Sequence, residues 1–275
     1  MKNHNILLIG KTGSGKSIFI NTIANYVFRC ELNDFAVVIP NQYHQQNAMR
    51  AIQSNENQSN NTGETQTINY TPGFGDTRGV EYDRFNSTQM LNTVVEQQDI
   101  TCVIIVINGS DSRMTEHMKY VFQTIKDSLP SQVFANNVIV VYTNCLEPNV
   151  QIENFGLPTI KPELIYTMQN SAFGPDFKGI TVKAQRQRTV DWNNSMETIG
   201  DIIGVISSMN PLSTKYFNEI LRNRETNSGF KERYSDELIS NSTRIVEQNE
   251  HAQKLSNLLF KNLNTHVLTD CISYL

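Results

Sequence analysis

Short apolar runs alternate with stretches of helical spacing over the first 210 residues. That alternation predicts a mainly parallel sheet joined by crossover helices, an α/β architecture. Ile6-Leu7-Leu8-Ile9 is the first predicted strand, and Ile18, Phe19, Ile20, Ile23, Ala24, Val27 and Phe28 then recur along one helix face. Phe35 to Ile39, stopped by Pro40, predicts a second strand, and Thr67 to Tyr70 a third. Cys102 to Ile107 and Val138 to Tyr142 are apolar at successive positions, as expected for strands covered on both faces. Between them Thr115 to Leu129 reads as a crossover helix closed by Pro130, and Leu164 to Thr167 as a weaker sixth strand.

Asp191 to Met209 carries Trp192, Met196, Ile199, Ile202, Ile203, Val205 and Ile206, a strongly apolar helix ending before Asn210-Pro211. Strand signals stop near residue 212. Residues 214–224 and 231–272 read as helical, broken at Asn227-Ser228-Gly229. The expected division is a sheet-containing domain over 1–211 and a helical extension over 212–275. The extension has a patchy apolar stripe (Ile239, Ile245, Val246, Leu255, Leu258, Leu259, Leu263) suited to packing on the core or on a partner.

The turn between the first strand and first helix reads GKTGSGKS, residues 10–17. The pattern Gly-x-x-x-x-Gly-Lys-Ser arises by chance in roughly one chain in a hundred of this length, and the flanking strand and helix are what a true phosphate loop requires. Gly10, Gly13 and Gly15 let backbone N–H groups approach phosphate oxygens where a Cβ would intrude. The helix behind them adds its dipole and unpaired amides. Lys16 is expected on the β- and γ-phosphates and the Ser17 hydroxyl on Mg²⁺. Lys11, Thr12, Ser14 and Ile18 complete the expected cradle. The fold class is therefore a three-layer P-loop NTPase with a mainly parallel central sheet, followed by the helical extension.

Composition removes other classes. The net charge of -4 gives no general affinity for nucleic acid or anionic lipid. Four scattered cysteines without CxxC spacing indicate free thiols in a reducing compartment. No signal-peptide pattern precedes the first strand and no stretch reaches the roughly 20 apolar residues of a bilayer span, so a cytoplasmic setting is expected. Membrane association through 231–275 has only the patchy stripe behind it. Gln53 to Asn61 is a run of Asn, Gln, Ser and Glu with nothing apolar to bury, read as a mobile loop. The histidines show no metal-ligand spacing, and His117 is expected on a helix surface. Lys183, Arg186 and Arg188 are read as a solvated face, and Trp192 as core filling.

Residues 71–79, TPGFGDTRG, resemble the Asp-x-x-Gly element of translation-factor-type GTPases in the form found in septins and AIG1-type GTPases. The order GKTGSGKS, TPGFGDTRG, TNC is similar to that group over about residues 5–210. The resemblance implies guanine-nucleotide binding, GTP hydrolysis and Mg²⁺ as cofactor. It puts Gly73 at the γ-phosphate-sensing glycine and Thr65 at the switch threonine that closes over Mg²⁺, with Thr62 as runner-up. Lys16, Thr65 and Gly73 thus carry the catalytic assignments, and Ser17 and Thr65 the metal. Thr143 and Asn144 fall at the guanine-recognition motif and Asn170 in the loop that contacts the base. Relatives of this kind assemble through their G domains, which implies a nucleotide-dependent homodimer or oligomer.

Three positions depart from the pattern. Tyr70 stands where the family has the aspartate that supports Mg²⁺ through water, and Asp76 lies six residues on. Leu146 stands where a carboxylate reads guanine, with Glu147 one residue late. Phe74 stands where small signalling GTPases hold a water-orienting glutamine, and a phenyl ring cannot orient water. A slow GTPase is the reading these residues favour. A nucleotide-binding scaffold without turnover and an ATP-binding P-loop protein stay open beside it. Arg78 and Arg113 are candidates to stabilise phosphate charge in cis or across a dimer, and each is more often a solvated loop arginine.

Overall fold

The computed structural model describes residues 2–40, 64–70, 73–75, 80–174 and 181–227. Five parallel strands form one sheet in the order β2-β1-β4-β5-β6: β1 (Lys2–Gly10), β2 (Glu64–Tyr70), β4 (Cys102–Asn108), β5 (Val138–Thr143) and β6 (Ile165–Met168). Ile6 to Ile9 are buried at every position, as are Cys102 to Ile107 and Val138 to Tyr142. A strand with helices on both faces has no solvent side, which is why the hydrophobic runs are continuous rather than alternating. Register sets Gly10 of β1 beside Val106 of β4, and Asn108 beside Thr143 of β5, which in turn stands beside Met168 of β6. The carboxyl ends of β1, β4, β5 and β6 therefore share one edge, the place where open α/β sheets bind ligands.

Helix α1 (Lys16–Phe28) packs on α5 (Val182–Ser208), while α2 (Val80–Val95) packs on α3 (Glu116–Ser128) and α6 (Lys215–Asn227). A short α4 (Ser131–Asn136) leads into β5. Thr115 caps α3, its side chain accepting from the Met118 N–H at 3.1 Å. Ile199, Ile202 and Ile206 of α5 face the core at the predicted spacing, but the helix begins nine residues before Asp191. The extra turns are polar and lacked an apolar period to announce them. No helix among the described residues is long and apolar enough to cross a membrane.

Two expectations are corrected. The strand predicted over Phe35 to Ile39 does not form; a 3-10 turn at Leu32–Asp34 is followed by irregular chain. Two buried asparagines of α1 take the place of a neighbouring strand. Asn25 donates to the Ala36 carbonyl and accepts from the Ala36 N–H, both at 2.7 Å. Asn21 donates to the Ile39 carbonyl and accepts from the N–H groups of Val38 and Ile39. The backbone polar groups are satisfied without a ladder, so β-propensity in that run did not need a sheet partner.

The boundary expected after residue 211 also runs through packed structure. Two-residue strands β3 (Asp99–Ile100) and β7 (Leu212–Ser213) pair antiparallel. Thr214 donates to the Gln97 carbonyl, and Phe217 of α6 is fully buried in the main core. Residues 212–227 thus close the sheet domain. The rest of the extension, residues 228–275, lies outside the described residues.

Candidate functional site: a phosphate cradle at the carboxyl edge of the sheet

Gly15 is the N-cap of α1 and no side chain caps that helix. The first-turn N–H groups are left facing the loop that Lys11 to Gly15 describes, which is how a helix start becomes an anion site. Gly15 has φ 92, and a Cβ there would stand 2.8 Å from Asn170 Nδ2 and 3.0 Å from Thr143 Oγ1. Only glycine meets both demands. The Thr143 hydroxyl donates to the Ser14 carbonyl at 2.6 Å, so the end of β5 props the loop from below. Ser17 and Ile18 are half-buried on the first turn of α1, and Thr12 and Gly13 are exposed.

Lys16 folds back over the loop. Its Nζ donates to the carbonyls of Gly10 at 3.0 Å and Lys11 at 3.1 Å. Burial disfavours its charged form and lowers its pKa to about 7. A buried amine beside uncapped helix amides has a strong preference for an anion.

Gly73 to Gly75 lie against the same loop. The Phe74 N–H donates to the Gly10 carbonyl at 3.1 Å and the Phe74 carbonyl accepts from the Thr12 N–H at 2.7 Å. A Cβ on Gly73 would stand 2.6 Å from Thr12 Cα, a backbone atom that cannot step aside. Helix α2 secures the segment: buried Asp83 accepts from the Gly75 N–H at 2.7 Å, and Asn86 donates to the Gly73 carbonyl at 3.3 Å. His117, exposed on α3 as expected, sets Nε2 at 3.3 Å from the Gly75 carbonyl. Phe74 itself is fully buried in the core, which explains an apolar residue at that position. Helix α2 was missed in the sequence because Asn, Ser, Thr and Gln interrupt its apolar face.

At the other end of the cradle Asn144 adopts φ 57 and donates to Asn108, whose amide donates to Asp111; the Asp111 carboxylate lies 4.0 Å from Lys11 Nζ. Leu146 is 63% exposed at the rim. Asn170 is buried, with neither amide atom of its side chain bonded, directly over Gly15. The sequence-predicted residues 10–18, 73, 143, 144 and 170 are thus brought to one edge.

Thr65 is not. It lies within β2 in register with Asn3, at the opposite end of β1 from Gly10. Seven strand residues separate those levels, roughly 23 Å at the usual rise. The expectation that Thr65 closes over the metal with Ser17 is corrected by that register; a threonine followed by five residues of strand is part of the ladder. Thr62, Asp76 and Arg78 lie outside the described residues. Among the described residues no three His, Cys, Asp or Glu side chains cluster as a metal site.

The model of the AIG1 family matches residues 4–156. No curated protein sequence matches the chain. Distant likenesses of fold include Toc33 from Arabidopsis thaliana in complex with GDP and Mg²⁺, at 15% identity and TM-score 0.40, covering 78% of this chain and 88% of that one. A probable GTP-binding protein engB has 14% identity and TM-score 0.37, covering 74% and 98%. The FeoB G-domain from Methanococcus jannaschii has 12% identity and TM-score 0.33, covering 72% and 99%. With more than half of its length matched, from the first strand past Thr143 and Asn144, this chain is a member of the AIG1 family.

Proposed function

We propose that the protein binds GTP and GDP with Mg²⁺ on the Gly10–Ser17 loop and hydrolyses GTP slowly. The observation that carries this reading is Lys16, a buried amine held on the Gly10 and Lys11 carbonyls beside the uncapped start of α1. Backbone N–H groups from Gly13 to Ser17 wrap the phosphates, Lys16 swings from its two carbonyls to their oxygens, and Gly73 senses the γ-phosphate. Ser17, on the first turn of α1, would supply a protein oxygen to Mg²⁺. One protein oxygen with nucleotide phosphates and water suits an ion that dehydrates reluctantly. Bound there, the metal would neutralise charge between the β- and γ-phosphates.

Slow turnover follows from Phe74, whose full burial leaves no polar group at that position to orient water. Guanine recognition falls to Asn144 and Asn170, because Leu146 offers no carboxylate. Thr143 serves the loop rather than the base, since its hydroxyl is engaged with Ser14. Nucleotide-dependent self-association across this edge and a cytoplasmic setting belong to the same reading. A scaffold that binds without turnover is favoured by the same Phe74. Single-turnover GTP hydrolysis at high protein concentration separates the two: slow phosphate release above buffer is expected, and none at all favours the scaffold.

A further inference from the structure

The amino-terminal half of α5 lies outside the phosphate cradle and beyond any motif of the sequence, yet it grips the loop that carries Asn170. Four side chains at helical spacing do this. Arg188 donates to the Ala172 carbonyl at 2.6 Å. Asp191, buried, accepts from the Ser171 hydroxyl at 2.7 Å and from Gln187 at 2.9 Å. Ser195, also buried, donates to the Gln169 carbonyl at 3.0 Å. Trp192 stands between them in a cluster with Phe173 and Phe35, whose rings meet edge-on at 5.1 Å. Residues three and four apart share one helix face, so 188, 191, 192 and 195 form a single row.

Each residue from Gln169 to Phe173 except Asn170 is therefore held by α5 through a side-chain hydrogen bond or an aromatic contact. Asn170 is buried with its side-chain amide unbonded, and it sits over Gly15, where the loop meets the cradle. A loop fastened at every point but one presents that one side chain in a fixed place. The same row reaches the chain beyond α1, because the Arg188 guanidinium lies 5.9 Å over the Phe35 ring. Of the basic run read from sequence as a solvated face, Lys183 and Arg186 are exposed, while Arg188 belongs to the clamp.

We propose that Arg188 and Asp191 are positioning residues that pre-organise the 169–173 loop for the nucleoside part of the ligand. This inference rests on the nucleotide-binding reading above. Both residues act on Ser171 and Ala172 of that loop, so the clamp governs the base and not the phosphates. Preorganised polar groups bind more tightly because ordering is not charged to the binding step, and small misplacements of a positioned group are costly.

The test measures GDP and inorganic tripolyphosphate, each by competition against a fluorescent guanine nucleotide, on wild type, Asp191→Ala, Ser171→Ala and Asp191→Asn. Asp191→Ala should weaken GDP by roughly tenfold or more while leaving tripolyphosphate within about twofold of wild type. Ser171→Ala, on the loop itself, should weaken GDP in the same selective way. Asp191→Asn keeps an oxygen able to accept from Ser171 and should recover part of the loss. Unchanged GDP affinity in Asp191→Ala and Ser171→Ala overturns the clamp. Equal loss of both ligands in Asp191→Ala also overturns it, since that is the mark of general unfolding. Wild type that binds neither ligand overturns the nucleotide reading itself.

Discussion

Lys16 makes nucleotide binding a protonation event. In the empty cradle burial brings its pKa to about 7, against an ordinary value of 10.5. Contact with phosphate oxygens favours the charged amine and restores the higher value. At pH 8 an amine titrating at about 7 is about nine-tenths neutral, so binding should take up about 0.9 proton. Nucleotide phosphates, with a second pKa of about 6, are already ionised at pH 8 and release nothing to offset it. Affinity should then fall roughly 50-fold between pH 7 and pH 9, because the neutral form must be protonated before it binds. Stability of the empty protein moves the other way. The unfolded chain holds this proton up to 10.5 while the folded chain releases it near 7, so stability rises with pH across that window. Below it the buried charge costs roughly 5 kcal/mol. Titration calorimetry of GDP at pH 8 in buffers of different ionisation enthalpy reads the uptake directly. Binding heat independent of buffer would refute the reasoning.

Two further outcomes follow from the same geometry. Asn25→Ala strands the N–H and carbonyl of Ala36 and should lower stability by about 2–4 kcal/mol in urea denaturation; an unchanged midpoint would show that the segment after α1 does not depend on it. Thr65→Ala should leave Mg²⁺-dependent affinity for a non-hydrolysable GTP analogue within about twofold, because β2 carries it roughly 23 Å from the cradle. A tenfold loss there would contradict that register.

Continuous burial made the sheet easy to read. Ile6 to Ile9, Cys102 to Ile107 and Val138 to Tyr142 have no solvent face, so composition alone marked them as central strands. The phosphate loop was legible for a different reason: its glycines answer to backbone geometry at fixed spacing. Tertiary hydrogen bonds were invisible. Nothing in Asn21 and Asn25 announced that they would satisfy the chain at 36–39 and remove the need for a strand there. Thr65 was misplaced because a threonine near a loop is common and register is not written in one residue. The α5 clamp escaped because Arg188 and Asp191 act on a loop about 20 residues earlier in the chain, through contacts that no local period encodes.

Equilibrium binding of fluorescent GDP to wild type and Lys16→Ala tests the central claim most directly. Removing the amine takes away the charge that faces the phosphates while leaving Gly10, Gly15 and the Thr143 prop in place. Wild type should bind, with Lys16→Ala weaker by at least about 100-fold and folded as judged by its melting curve. Undiminished affinity in Lys16→Ala would contradict the assignment of the Gly10–Ser17 loop as the nucleotide site.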